Sequence, residues 1–202
     1  MSRIDEKVAD RMSQEIEIEF KNLLTEEEFR LLHDFFQSFS KKEIVHINHY
    51  FETPSFSLKK NGSALRIREK NNKFTVTLKQ PNPDGAGLLE THEAISPEEA
   101  DKWFHHKIIP CREISSALKQ MGIKITELRY GGKLLTNRTE VKYEETLVVL
   151  DHSMYNGRED YELELECLEE KYGKAVFDQL LKKFQIPVRK TRNKIERFYH
   201  TL

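Results

Sequence analysis

The chain has 202 residues, of which 38% are hydrophobic and 33% are charged, and its formal net charge is −1. This length suffices to bury a core, and the aromatic content excludes a disordered chain. The near-zero charge argues against general nucleic-acid binding and membrane-surface attachment, and two cysteines without CxxC spacing argue against a disulfide framework or a thiolate zinc site.

The chain begins with a polar stretch, MSRIDEKVADRMSQ, that has no apolar run of the signal-peptide type. No segment approaches the roughly 20 apolar residues that a membrane-spanning helix needs. We therefore expect a cytoplasmic protein, in which residues 1–11 form a flexible lead-in and residues 12–202 form a single domain.

Alternation of apolar and polar residues, which is typical of half-buried strands, recurs along the chain. It predicts strands at 14–21, 43–52, 63–69, 73–80, 87–95, 123–130, 133–142, 146–152 and 159–168. Turn signals separate several of these segments: Asn61-Gly62, Asn71-Asn72, the stretch from Pro81 to Gly87, Gly131-Gly132 and Asn156-Gly157. Hairpins this closely spaced predict antiparallel pairing.

Helical patterns interrupt the strands. A capping box of Thr25 and Glu28 begins the first helix, and Ser96-Pro97 begins the second. Further helices are predicted from about Arg112 to Met121, over 169–184, and from Thr191 to Tyr199. The apolar stripes of these helices need a surface to cover, and the apolar faces of the strands supply one.

Eight or nine antiparallel strands with several amphipathic helices predict an α+β fold built on a barrel or a strongly curved sheet. In the first strand, EIEIEFK (15–21), every second residue is charged and the residues between are apolar. If helices cover the apolar side of each strand, the charged side faces the interior of the sheet.

Other strands sort charge by face in the same way. The charged or polar members of these faces are Arg66 and Arg68; Thr75, Thr77 and Lys79; Glu90 and His92; Arg138, Glu140 and Lys142; and Glu162, Glu164 and Glu166. Two interpretations stay open at this point. Each face is either solvated by water, or the faces together line a cavity that binds a charged ligand.

An enclosed cavity of mixed charge would need a ligand that satisfies both signs, because an unpaired buried charge costs several kcal/mol. Carboxylates at alternate positions suit a hard divalent cation such as Mg²⁺ or Mn²⁺. Arginine and lysine suit phosphate oxygens. A metal–polyphosphate complex would satisfy both sets. The sequence has no Walker-type phosphate loop, no HExxH and no GxSxG.

These features resemble the CYTH superfamily, the triphosphate tunnel metalloenzymes, which include thiamine triphosphatases and class IV adenylyl cyclases. Glu17-Ile18-Glu19-Phe20-Lys21 matches the Glu-x-Glu-x-Lys signature of that superfamily. The resemblance continues through HYFETP (49–54), LRIR (65–68), TLKQP (77–81), Glu90, Arg138, YELELE (161–166) and Lys194. It covers nearly the whole chain, in order, and is greatest to the bacterial YjbK-type branch.

The resemblance implies an antiparallel eight-stranded closed β-barrel, a tunnel with one or two Mg²⁺ or Mn²⁺ ions, and metal-dependent hydrolysis of a triphosphate. The phosphate ligands that it implies are Lys21, Arg66, Arg68, Lys79, Arg138 and Lys194, with Arg192 assisting. The implied metal ligands are Glu17, Glu19, Glu90, Glu162 and Glu164. Among these residues the expected catalytic ones are Glu162 or Glu164, which would orient the attacking water, and Lys21, Arg66 and Arg68, which would clamp the phosphates.

The chain departs from the superfamily pattern at Glu52, where Asp is frequent, and at Leu88 and Leu89, where an Arg often precedes the acid of the fifth strand. Substrate choice therefore stays open between inorganic tripolyphosphate and an organic or nucleoside triphosphate. Two other functions use the same interior: an adenylyl cyclase that releases pyrophosphate from ATP, and a binder of polyphosphate or nucleotides without turnover. We expect a small-molecule partner and a monomer or homodimer.

Overall fold

A computed structural model of the protein describes residues 12–201. The predicted lead-in at 1–11 lies outside these residues, as does Leu202. The described chain forms eight strands: β1 (Met12–Leu24), β2 (Lys41–Glu52), β3 (Ala64–Lys70), β4 (Lys73–Pro81), β5 (Leu88–Ile95), β6 (Arg129–Tyr143), β7 (Thr146–Tyr155) and β8 (Arg158–Cys167). They close into a barrel in the order β1-β5-β4-β3-β2-β6-β7-β8. The expected closed antiparallel barrel of eight strands is thus confirmed.

The same residues form six α-helices: α1 (Glu26–Phe35), α2 (Ser57–Lys60), α3 (Pro97–Phe104), α4 (Arg112–Gln120), α5 (Glu170–Lys183) and α6 (Lys194–Tyr199). The predicted capping box at the start of α1 is confirmed, because Thr25 and Glu28 each accept a hydrogen bond from the other's backbone N–H. Ser96 caps α3 in the same way, with Pro97 at its first position. Within 12–201 no helix has the length and apolar character to cross a bilayer.

Three expectations about element boundaries are wrong. The predicted strand at 123–130 and the predicted turn at Gly131-Gly132 are replaced by a single strand, β6, which starts at Arg129 and contains both glycines. Residues Ile125–Glu127 before it form a 3₁₀ helix. The short helix α2 was not predicted, and α6 begins at Lys194 rather than at Thr191.

The described chain divides into two compact units. The first, called here the β3–β5 unit, runs up to Ile16 and again over Ile47–Lys133. The second, the β6–β8 unit, takes Glu17–His46 and the chain from Leu134 onward. The single domain expected for 12–202 stays a prediction.

In the β3–β5 unit, the helices α3 and α4 cover one face of the strands. Trp103 of α3 and Ile114 and Leu118 of α4 are fully buried in one cluster with the apolar residues of β3 and β4: Leu65, Ile67, Val76 and Leu78. Trp103 therefore anchors α3 in this core. Because side chains alternate along a strand, the charged residues of β3 and β4 lie on the face away from these helices.

In the β6–β8 unit, α1 and α5 cover the strands in the same manner. Leu32 of α1 and Leu180 of α5 pack in one core cluster with apolar residues of β7 and β8: Val148, Leu150, Leu163 and Leu165. The carboxylates of β8 alternate with these apolar residues and take the opposite face. In a closed barrel with helices on the outside, that face is the inner one.

Candidate active site

A cluster of charged side chains lies on the inner face of β6, β7 and β8. Arg138 is directly opposite Asp151, and Asp151 is directly opposite Glu162, so these three residues lie side by side across three strands. Glu164 follows on β8, and Lys194 joins from the first turn of α6. These five residues are called here the buried charge cluster.

Every member of the buried charge cluster contacts an opposite charge. Arg138 donates two hydrogen bonds to Asp151, with N–O distances of 2.8 and 2.7 Å, and a third to Glu164 at 2.8 Å. Lys194 Nζ lies 2.6 Å from Asp151, 2.8 Å from Glu162, and also contacts Glu164. Asp151 and Glu162 have no exposed side-chain surface. Asp151 therefore lies at the centre of the buried charge cluster.

The pairing decides the charge state of this cluster. Burial alone would raise the pKa of Asp151, but Arg138 and Lys194 outweigh that effect and lower it. The pKa of Glu164 is likewise lowered well below its ordinary value, because Lys194 and Arg138 outweigh burial. Burial lowers the pKa of Lys194 and of Arg138, yet the neighbouring carboxylates raise both well above their ordinary values. Arg138, Asp151, Glu164 and Lys194 therefore stay ionised at neutral pH.

A surplus of negative charge lies next to this cluster, where β1 pairs with β8. Glu19 is directly opposite Glu166, and Lys21 is directly opposite Glu164. Like charges placed opposite each other destabilise a sheet. Burial, and then Glu17, raise the pKa of Glu166 to about 7 although Arg138 opposes this. Lys21 pairs with Glu19. This set of carboxylate oxygens has the donor chemistry of a hard divalent cation site.

In the β3–β5 unit, Glu90 is the centre of a second charged group. Its side chain is only 3% exposed, and it contacts Lys79, while Arg66 Nη2 lies 3.9 Å from it. Arg68, on the same face of β3 as Arg66, donates a hydrogen bond to Asn48 over 3.0 Å. Two of the predicted phosphate ligands of this unit, Arg66 and Lys79, thus pair with one buried acid.

His92 also belongs to this second group, as its phase with Glu90 predicts. His92 Nε2 lies 3.1 Å from Glu15 and 3.5 Å from Glu90, and Nδ1 lies 3.0 Å from the hydroxyl of Thr77. One ligand atom from each of Glu15, Glu90 and His92 lies within 4.8 Å of the others. Of the predicted metal ligands, Glu90 lies in the β3–β5 unit. The other predicted metal ligands lie in the β6–β8 unit: Glu17, Glu19, Glu162 and Glu164.

Two residues of the superfamily pattern, Glu52 and Arg192, differ from the other predicted residues in their environment. Glu52, buried at the end of β2, accepts backbone hydrogen bonds from Thr53, Leu58 and Lys59, so it builds the start of α2. The side chain of Arg192 is exposed. Sequence reasoning missed Arg197, which is one turn after Lys194 on α6 and contacts Glu162 at 2.8 Å. The spacing of three residues was the available signal.

Comparison with known proteins identifies the family. The model of the CYTH domain matches residues 15–199. The protein called "Putative triphosphatase YjbK" of Bacillus subtilis (strain 168) is 45% identical over 188 residues, which cover 93% of this chain and 96% of that protein.

Two solved structures are similar over the same span. A protein from Bacillus halodurans, described as a "putative adenylate cyclase", superposes with a TM-score of 0.85 at 44% identity over 92% of this chain and 98% of that one. HpAC1 from Hippeastrum, described as a "putative adenylyl cyclase" with a dominant triphosphatase activity, gives 0.74 at 25% identity over 92% and 96%. Since the family model and the Bacillus subtilis relative both span nearly the whole chain, the chain belongs to the CYTH family.

Proposed function

We propose that this protein hydrolyses a triphosphate, inorganic tripolyphosphate or an organic or nucleoside triphosphate, with a divalent cation. The observation that carries the proposal is the set of ion pairs that basic residues form with carboxylates on the inner strand faces. Arg138, Lys194 and Lys79 each contact buried carboxylates there. Phosphate oxygens can replace carboxylate oxygens as acceptors for the same donors. The name of the Bacillus subtilis relative and the description of HpAC1 support the same activity.

In this proposal the basic residues bind the phosphate chain and offset its charge. They are Lys21, Arg66, Arg68, Lys79, Arg138 and Lys194, and Arg192, whose side chain is exposed, would assist. Arginine binds two phosphate oxygens through its planar fork, whereas lysine acts as a point charge. Catalysis of phosphoryl transfer depends mainly on such positioning and charge stabilisation, so these donors fix the phosphates in line for attack.

The carboxylates would bind the cation and orient water. Glu17, Glu19, Glu162, Glu164 and Glu90 are the ligands expected for Mg²⁺ or Mn²⁺, and the opposed pair of Glu19 and Glu166 adds Glu166 to that set. When bound, the cation would offset charge on the phosphoryl oxygens. Glu164 keeps its negative charge at neutral pH, so it can accept a hydrogen bond from the attacking water and orient it, as can Glu162 on the same strand.

The experiment is a substrate screen with tripolyphosphate, thiamine triphosphate and ATP, each with Mg²⁺, with Mn²⁺ and with a chelator. We expect orthophosphate release from at least one substrate, and only when a cation is present. Absence of phosphate release from all three substrates with either cation would contradict the proposal. Tight calorimetric binding of tripolyphosphate without turnover would instead identify a non-catalytic polyphosphate or nucleotide binder.

An adenylyl cyclase is the second candidate, because the similar Bacillus halodurans structure is described as one. A cyclase would use the same phosphate ligands but release pyrophosphate and a cyclic nucleotide from ATP. Analysis of the products from ATP distinguishes the two: orthophosphate with ADP supports hydrolysis, and pyrophosphate supports cyclisation.

A further inference from the structure

The side chain of Arg197 links helix α6 to strand β8. Its guanidinium contacts Asp160 over 2.9 Å and Glu162 over 2.8 Å, both on β8. It also donates a hydrogen bond to the backbone carbonyl of Arg192, which precedes α6. Only 10% of the Arg197 side chain is exposed. One side chain thus fixes the position of α6 on the strand that carries the central carboxylates.

Lys194 and Arg197 contact the same carboxylate. They are three residues apart on α6, a spacing that places both on one side of a helix. Lys194 Nζ lies 2.8 Å from Glu162, and Arg197 Nη2 lies 2.8 Å from the same Oε2 atom. Glu162 is completely buried. A buried carboxylate with two cationic partners can lose one of them without becoming an isolated charge.

The second cationic partner of Glu162 is important because Lys194 takes part in two interactions. In the structure it contacts the carboxylates of Asp151, Glu162 and Glu164. In the proposed function it also binds phosphate, and it must then give up part of these contacts. Asp151 and Glu164 keep Arg138 as a partner when this happens. Glu162 keeps Arg197.

We propose that Arg197 is a positioning residue, which keeps Glu162 paired and α6 in place so that Lys194 is free to bind the triphosphate. This inference rests on the proposed function and names a residue that the expected site does not include. Asp160 accepts hydrogen bonds from Nε and Nη2 of the guanidinium, Glu162 accepts from Nη1 and Nη2, and Tyr155 in turn donates a 2.7 Å hydrogen bond to Asp160. Burial lowers the pKa of Arg197, but Glu162 and Asp160 outweigh this and raise it.

The chain offers a matched control for Arg197. Arg189 also joins the C-terminal segment to the rest of its unit through a two-pronged ion pair, with Glu28 of α1 at 2.7 and 2.9 Å. It also donates a 2.8 Å hydrogen bond to the carbonyl of Leu23. Both arginines thus anchor the same end of the chain, but only Arg197 contacts Glu162.

The test compares Arg197→Gln, Arg197→Lys and Arg189→Gln with the wild type. The measurements are melting temperature, tripolyphosphate affinity by calorimetry without metal, and KM and kcat with metal. For Arg197→Gln we expect the affinity for tripolyphosphate to fall and KM to rise by about 10- to 100-fold. This is the effect of losing one charge-assisted hydrogen bond, the one from Lys194 to phosphate. We expect kcat to change much less. Arg197→Lys should recover part of the affinity. Arg189→Gln should lower the melting temperature without changing KM.

Equal KM values in Arg197→Gln and Arg189→Gln would overturn the inference while leaving the proposed function intact. If Arg197→Gln does not fold, Asp160→Asn takes its place, because it removes the charge of one of the two carboxylates that hold the guanidinium and so weakens the position of Arg197 beside Glu162. An unchanged KM in Asp160→Asn would then contradict the inference, and a raised KM would support it. A wild type that neither binds nor hydrolyses tripolyphosphate would overturn the proposed function itself.

Discussion

Glu166 illustrates how much one side chain's surroundings matter. It is opposite Glu19 across the β1–β8 pair and near Glu17, and its pKa is raised from 4.5 to about 7, chiefly by burial and then by Glu17. A folded-state pKa above the unfolded value means that the folded protein binds more protons between these two pH values. Stability should therefore be greatest near pH 4.5 in this respect and decline as the pH rises to about 7.

Substitution Glu166→Gln tests this pH dependence. The variant lacks the carboxyl group, so its melting temperature should exceed that of the wild type at pH 8 and approach it at pH 5, in metal-free buffer. Glu159→Gln is a control on the same strand, because that carboxylate is more than half exposed and pairs with His152. A difference between wild type and Glu166→Gln that is the same at both pH values would refute the assigned pKa.

Asp151 makes the opposite kind of contribution. It has no exposed side-chain surface and pairs with both Arg138 and Lys194. Asp151→Asn leaves these two buried cations with less compensating charge, and removing one partner of a buried ion pair costs about 3–5 kcal/mol. Urea denaturation at pH 7 measures the loss. The exposed Asp101→Asn should change the free energy of unfolding by less than about 0.5 kcal/mol, and an equally small change in Asp151→Asn would contradict the account.

At the scale of elements, the contact between α5 and β8 depends on Gly173. A Cβ at this position would overlap the sulfur of Cys167, and it would lie 2.7 Å from the Cβ of Cys167 and 3.3 Å from the ring of Phe20. Alanine favours a helix over glycine by about 1 kcal/mol, but overpacking costs about 1–3 kcal/mol. Since the Cβ–Cβ contact cannot relax by a rotamer change, we expect Gly173→Ala to be destabilising overall.

Thermal or urea denaturation of Gly173→Ala checks this prediction. Cys167→Ala in the same chain removes the sulfur contact and should restore part of the lost stability. Lys171→Ala, at an exposed position of the same helix, serves as the control for a change to alanine. A Gly173→Ala protein more stable than the wild type would show that helix propensity outweighs the close packing.

The elements themselves were predictable where local signals act alone. The capping box at Thr25, the helix start at Ser96-Pro97 and the alternation in β1 and β8 are properties of short segments, and the structure confirms them. The helix α2 was not predictable, because the backbone N–H groups of Leu58 and Lys59 donate to Glu52, which is six and seven residues away from these donors. Gly131 and Gly132 signal a turn, yet both lie in the long strand β6.

At the scale of the whole molecule, the sequence predicted which residues share a face but not which residues pair. Alternation places Glu162 and Glu164 on the charged face of β8 and Arg138 on the charged face of β6. The resemblance to the CYTH superfamily then assigns roles to these residues. Which acid is opposite which base depends on the strand register, which places Glu164 opposite Lys21 but Glu166 opposite Glu19. Register is decided by turns and by packing along whole strands, so the partners of Asp151, Glu166 and Arg197 are known only from the structure.

The central claim is that the charged inner faces of the strands bind and cleave a triphosphate. The most direct measurement is orthophosphate release from tripolyphosphate with Mn²⁺, for the wild type and the Arg66→Ala, Arg68→Ala double variant side by side. We predict metal-dependent release by the wild type and a rate at least about 10²- to 10³-fold lower in the variant, the usual loss for a preorganised donor. Turnover by the variant at the wild-type rate would contradict the account.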